Sequence, residues 1–291
     1  MTVVVGHLPE RGGRAALHLG VALARALGTS LTVATVVRTG RHPAEDSPAL
    51  ERRRTLVAEV EEAARAAVAD LAADVPVVVR VLADRSTSRA LGAVAAETGA
   101  RVLVLGSSAE GHVGQIVVGS TADKLLHSAA LPVALAPRGF RAPRGAPDRT
   151  RPARITVATT GEDEAALVRA RDLAEGLGVE LRVLVLAVRH RPVLTSQAGF
   201  DAEAPVVAAW TEEALGAVAE LRERGVLPAG ARTEVGTGPG WREALDAVEW
   251  TADDLLVLGT PPEGPVARVF LGSRATKILR HAPVPVLVLP G

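Results

Sequence analysis

Apolar residues along this chain fall into two alternating patterns. Short, wholly apolar runs such as Val3-Val4-Val5 recur at intervals, and between them apolar positions repeat at helical spacing. In the first half the pattern predicts strands over 3–5, 31–37, 77–82, 102–105 and 133–136, with helices over 14–27, 50–72, 86–97 and 120–127. Gly28 stands as a C-cap to the first helix. Val57, Val60, Ala64, Val68 and Leu71 form the apolar stripe of the second. The second half repeats the order, with strands over 155–158, 181–188, 233–235, 255–258 and 286–289 and helices over 164–177, 206–224, 241–250 and 273–280. A strand that is apolar throughout is buried on both faces, as in a parallel sheet covered by helices. Right-handed crossovers then give a doubly wound α/β sheet whose ligand crevice lies beyond the carboxyl ends of its strands.

The chain is written twice. Residues 102–137 align without gaps on 255–290, placing Gly106 on Gly259, Glu110-Gly111 on Glu263-Gly264, Gly119-Ser120 on Gly272-Ser273 and Lys124 on Lys277. Such a match, which holds glycines, prolines and apolar runs in register, argues for duplication. The expected organisation is a domain over 1–138, a linker over 139–153 and a second domain over 154–291, each with five parallel strands and helices on both faces. The stretch from Arg138 to Ala153 is rich in Pro, Gly and Arg and has no periodicity. It reads as a solvated connector, or as a contact for an anionic partner.

The crevice rule singles out the loops over 106–119 and 259–272. Each leads from a buried strand through glycine-rich turns to Gly-Ser at a helix start, where backbone N–H groups are unpaired. The hydroxyls of Ser120, Thr121 and Ser273 are placed to meet phosphate, or serve only as N-caps. The candidate contacts are Gly106, Ser107, Gly119, Ser120 and Thr121, with Gly259, Thr260, Gly272 and Ser273.

Composition narrows the choice. Basic and acidic residues balance at 33 each, so no global field recruits nucleic acid or an anionic membrane. There is no cysteine, which excludes disulfides and thiolate chemistry and fits a reducing cytoplasm. The first residues read as a strand and not as a signal peptide, and no apolar run reaches the roughly 20 residues a membrane helix needs. Aromatic residues are 2% of the chain, so the cores must be built from Ala, Val and Leu.

The segments Val102-Leu103-Val104-Leu105-Gly106, Gly119-Ser120, Gly272-Ser273 and His281-Ala282-Pro283-Val284-Pro285-Val286 resemble the C-terminal signature of universal stress proteins. The resemblance extends over nearly the whole chain, twice, and implies the adenine nucleotide alpha hydrolase-like fold. It also implies a cytoplasmic stress-response or signalling role and ATP as the ligand of the loop after the fourth strand. The family's ATP binders carry Gly, two residues, Gly, nine residues, then Gly-Ser or Gly-Thr. Here Ala109 and Pro262 occupy the second glycine position. Leu8 and Thr160 stand where those binders carry an aspartate. These departures predict weak or degenerate nucleotide binding without catalysis; a slow ATPase or other nucleotide-dependent enzyme on the same fold is the alternative. The family also implies a homodimer, or an intrachain pseudo-dimer, through the last strands.

Other signals carry less. Gly236-Thr237-Gly238-Pro239-Gly240 lacks the third glycine of a dinucleotide fingerprint and reads as a turn before a helix. Asp84 reads as a loop or capping residue. No pair of histidines has metal-ligand spacing; His127 and His281 suit helix C-termini, and His7 alone lies beside the expected crevice.

Overall fold

A computed structural model describes residues 2–9, 13–39, 48–142, 152–159, 164–188, 197–259 and 272–290, the side chains of Ala49 and of 197–207 apart. The chain divides into two compact units, Met1–Arg151 and Pro152–Gly291.

The first unit runs β1 (Thr2–Gly6), α1 (Gly13–Ala26), β2 (Ser30–Arg38), α2 (Pro48–Ala69), β3 (Val77–Asp84), α3 (Thr87–Glu97), β4 (Ala100–Gly106), α4 (Ser120–Leu126) and β5 (Val133–Ala136). Its strands pair in parallel in the order β3-β2-β1-β4-β5. The second runs β6 (Arg154–Thr159), α5 (Glu164–Leu177), β7 (Glu180–Val188), α6 (Gln197–Glu223), β8 (Arg232–Gly238), α7 (Trp241–Asp246), β9 (Asp254–Gly259), α8 (Ser273–His281) and β10 (Val286–Leu289). Here the parallel order is β8-β7-β6-β9-β10. Both are doubly wound α/β sheets of the expected topology.

The central strands are buried on both faces: Val3, Val4 and Val5 in β1, and Leu103 and Val104 in β4, have no exposed surface. Alternation decides which helix covers which face. A Cβ placed on Gly20 of α1 would lie 2.2 Å from Val5, whereas one on Gly6 would meet Leu91 of α3 at 2.9 Å. Val5 and Gly6 are neighbours on one strand, so α1 and α3 cover opposite faces.

Beyond α6, which starts at Gln197 and not at 206, three expected elements differ in detail. The glycine-rich turn after the eighth strand is partly strand, since Gly236 and Gly238 pair with Leu186 and Val188. A Cβ on Gly236 would lie 2.2 Å from the Ala244 carbonyl oxygen, so the bare backbone lets α7 sit on the strand end. Helix α7 stops at Asp246, not at 250, and the Trp250 indole N–H donates to the Leu245 carbonyl at 2.7 Å. In α2 only Ala64 and Val68 of the expected stripe are fully buried, with Val57 and Val60 half-buried, and the helix ends at Ala69, before Leu71. The face α2 covers is that of β2 and the marginal strand β3, where Val78 is exposed.

Candidate functional site

In a sheet ordered β3-β2-β1-β4-β5 the connections turn to opposite faces on either side of the β1–β4 boundary, and a crevice opens beyond those strand ends. The first unit has a cleft there of about 640 Å³. Gly6, His7 and Leu8 from the end of β1 line it, as do Ala34, Val36 and Arg38 from β2 and Thr87 and Leu91 from α3. The loop after β4 supplies the facing wall. All five first-half candidates, Gly106, Ser107, Gly119, Ser120 and Thr121, line this one cleft, and Ala109 lies with them.

That loop is braced from within and from downstream. The Ser107 hydroxyl accepts the Val117 N–H at 2.8 Å, and the Ser108 N–H donates to the Val117 carbonyl at 2.8 Å. The Ser107 side chain therefore holds the two limbs of the loop together. Residues after β5 complete the frame: the Gly114 N–H donates to the Arg138 carbonyl at 2.8 Å and the Arg138 N–H to the Gln115 carbonyl at 2.9 Å. The Arg138 guanidinium donates to the Gly111 carbonyl. Arg138, which the composition assigned to the connector, is thus a strut of the candidate loop. At the far end Gly119 is the N-cap of α4, with φ −78° and no side-chain cap among the described residues. Its carbonyl accepts the Asp123 N–H at 2.9 Å.

His7 forms the floor beside β2. Its backbone N–H donates to the Ala34 carbonyl at 2.9 Å, extending the β1–β2 pairing by one residue. The side chain is 4% exposed, and its Nδ1 meets no hydrogen-bond partner among the described residues. Burial holds the imidazole below its ordinary pKa, with the Gly13 backbone acting weakly in the opposite sense. Next to it Leu8, an apolar side chain, is 63% exposed. Among the described residues the cleft's charged lining is Arg38 and Glu110, both exposed.

Asp84, the last residue of β3, braces the turn into α3, whose N-cap is Ser86. Its carboxylate accepts the Ser86 N–H at 2.8 Å and the Arg89 guanidinium at 2.7 Å, and these bonds hold its pKa below the usual carboxylate range. His127 is the C-cap of α4, its Nδ1 2.7 Å from the Asp123 carbonyl oxygen. Arg38, Thr87 and Ser108 also line the cleft and were not singled out beforehand. Arg38 ends β2, so the crevice rule applied to every strand end, and not only the fourth, would have found it.

In the second unit Gly259 ends β9, Gly272 is the N-cap of α8 and Ser273 is its first residue. A Cβ on Gly259 would lie 2.3 Å from the Ala166 side chain, so α5 packs closely on this strand end. Thr160, Thr260 and Pro262 lie outside the described residues. Among the described residues no group of three or more His, Asp or Glu side chains is arranged to hold a metal ion, and no helix is long and apolar enough to cross a membrane.

The model of the Universal stress protein family matches residues 1–137 and again 153–290. Universal stress proteins of Mycobacterium bovis and Mycobacterium tuberculosis are 43% identical to this chain over 297 aligned residues, which cover 100% of both partners. Among solved structures, a universal stress protein from Archaeoglobus fulgidus aligns with a TM-score of 0.59 at 15% identity, covering 99% of this chain and 97% of that one. A structure from Pseudomonas aeruginosa PAO1, described as functionally unknown, aligns at 0.54 and 18% identity, covering 99% and 92%. These structural likenesses carry the fold, and the full-length relatives carry more: the chain belongs to the universal stress protein family, as a tandem of two of its domains.

Proposed function

We propose that this universal stress protein is a non-catalytic stress-response or signalling protein of the cytoplasm, and that its first-unit cleft binds an adenine nucleotide weakly. One observation carries the proposal. Five residues chosen from sequence, contributed by two separate segments, converge on a single cleft whose volume of about 640 Å³ suits a small-molecule ligand. Weakness follows from Leu8, which offers no hydrogen-bond acceptor where a carboxylate would stand, and from the Ser107 hydroxyl, already engaged by the Val117 amide.

Isothermal titration of the full chain with ATP and AMP tests this. Binding with Kd above about 10 μM is expected, and it should be lost in Gly119→Val. A Cβ at Gly119 has Ser108 at 3.7 Å as its nearest neighbour, so the added methyls fill the cleft and leave the fold unstrained. No heat from either nucleotide at millimolar concentration would remove the proposal. ATP turnover that vanishes in Gly119→Val would replace it with the enzymatic alternative. The proposal extends to a homodimer, for which light scattering at two concentrations is the measurement.

A further inference from the structure

The loop after β4 lines the candidate cleft with two limbs, 107–110 and 117–122, while the span 111–116 between them lies outside the lining. That span is held by the chain that follows β5. Pro137 has no N–H with which to extend β5, and the chain turns over residues 138–139. The turn sets Arg138 against the span. The Gly114 N–H donates to the Arg138 carbonyl at 2.8 Å, and the Arg138 N–H donates to the Gln115 carbonyl at 2.9 Å. The Arg138 guanidinium donates to the carbonyl of Gly111, a buried residue. A Cβ on Gly139, whose φ of +77° is left-handed, would lie 3.0 Å from Val113, so the bare backbone rests on the loop there.

We propose that the loop after β4 and the segment 138–142 order as one cooperative element, with Arg138 as its positioning residue, so that occupancy of the first-unit cleft is transmitted to the chain leading into the connector. The inference rests on the nucleotide proposal above and adds a route by which binding is read out. The Ser107 hydroxyl ties the two limbs to each other at their base, through the Val117 N–H. Arg138 fixes the span that joins them, at Gly111, Gly114 and Gln115. With Arg138 withdrawn, the limbs are joined by a span held only at its ends. A ligand that touches both limbs needs them in register, so it binds the paired arrangement and stabilises it by mass action. Such coupling is reciprocal: whatever draws residues 138–142 off the loop weakens the ligand by the factor with which the ligand resists it.

Amide hydrogen exchange followed by NMR on the full chain tests this, using AMP or ATP, whichever binds the more tightly in titration. With the nucleotide at about ten times its Kd, the Gly114 and Arg138 amides should exchange about tenfold more slowly, in step with the Val117 amide. The Ala244 amide of the second unit serves as the unaffected reference. Arg138→Met keeps the stem and removes the guanidinium; nucleotide affinity should fall about fivefold, and the Gly114 amide should exchange faster in the free protein. Arg138→Lys, which still offers a charged donor to the Gly111 carbonyl, should recover most of the affinity. Unchanged exchange at Gly114 and Arg138 in nucleotide-saturated protein would overturn the inference and leave the nucleotide proposal standing, as would unchanged affinity in Arg138→Met. Equal losses in the Met and Lys variants, with lower melting temperatures, would assign Arg138 to stability alone and overturn it as well. The wild-type exchange measurement decides the matter even if a variant fails to fold. If the wild-type protein binds neither nucleotide, both proposals fall together.

Discussion

A histidine sealed in a wall of small aliphatic side chains has a thermodynamic signature independent of any ligand. An ordinary imidazole titrates near pH 6.5, and burial holds that of His7 lower. Between those two values the unfolded chain binds a proton that the folded chain refuses. Stability therefore rises with pH across that window and falls as the pH drops from about 7 through 6.5 toward the depressed value; above both it does not change. His281 is shifted in the same direction, by burial first and then by Arg242, so it contributes a slope of its own. The charges at the cleft, Arg38 and Glu110, lie in the exposed part of its lining. His7→Phe should accordingly flatten part of the decline in the urea midpoint between about pH 7.5 and about pH 5.5 and leave the rest. Superimposable pH profiles for the two proteins would mean that His7 titrates normally in the fold.

At the scale of elements, the cleft depends on how closely α1 lies on the sheet. The helix is buried along its length from Ala15 to Ala24, and Gly20 is its point of closest approach to β1. Gly20→Ala gains about 1 kcal/mol of helix propensity, but its Cβ would fall 2.2 Å from Val5, a fully buried and rigid β-branched neighbour. Overpacking of that kind costs about 1–3 kcal/mol, so the variant should be net destabilised by up to about 2 kcal/mol in urea unfolding. A variant more stable than wild type would show that α1 can lift without loss. Order and type of the elements were legible in the sequence because most strands hold an apolar run, β8 excepted, and most helices a stripe; β5, α5 and β10 lie where periodicity put them. What was not legible depends on partners remote along the chain. The early end of α7 goes with Trp250 turning to place its ring 4.6 Å from the Arg182 guanidinium. The role of Arg138 depends on a carbonyl 27 residues upstream, and in a Pro- and Gly-rich context the sequence offered only a connector. Gly106, Gly119 and Ser120 were legible because the repeat displays them twice, and Ser107 and Thr121 by their places beside them; His7 stood out only by its place at a strand end.

Across the whole molecule, duplication has kept one scaffold and changed the chemistry at the amino ends of its strands. The pairings Val4 with Thr32 and Thr156 with Arg182 occupy the same register in the two sheets. In the first unit the position is modest: the hydroxyls of Thr2 and Thr32 lie 3.2 Å apart. In the second it is a buried charge cluster. Arg182, with no exposed surface, donates to the Thr156 hydroxyl at 3.0 Å and to the Glu249 carbonyl at 2.8 Å, and pairs with Glu234 at 3.2 Å. Asp254, equally buried, accepts two bonds of 2.7 Å from Arg154 and lies 3.7 Å from Arg182. The two arginines are not equivalent. Burial is the largest influence on Arg182 and disfavours its charge, with Arg154 nearby adding repulsion. Arg182→Met removes that desolvation cost while Asp254 keeps Arg154 and Glu234 keeps Arg232 at 2.8 Å. Its expected cost is below about 1.5 kcal/mol, because each carboxylate keeps a second arginine and no buried charge is left uncompensated. Arg154→Met instead strips a buried carboxylate of two charge-assisted bonds and leaves it the Thr251 N–H at 2.9 Å and Arg182 at 3.7 Å, a loss of about 3 kcal/mol. Hydrogen exchange should register it as lost protection in β6, β7 and β9, with β1, β2 and β4 retaining theirs, because each unit is built around its own core. If Arg182→Met proves the more damaging of the two, the cluster is held together by its central cation and not by the Arg154–Asp254 pair.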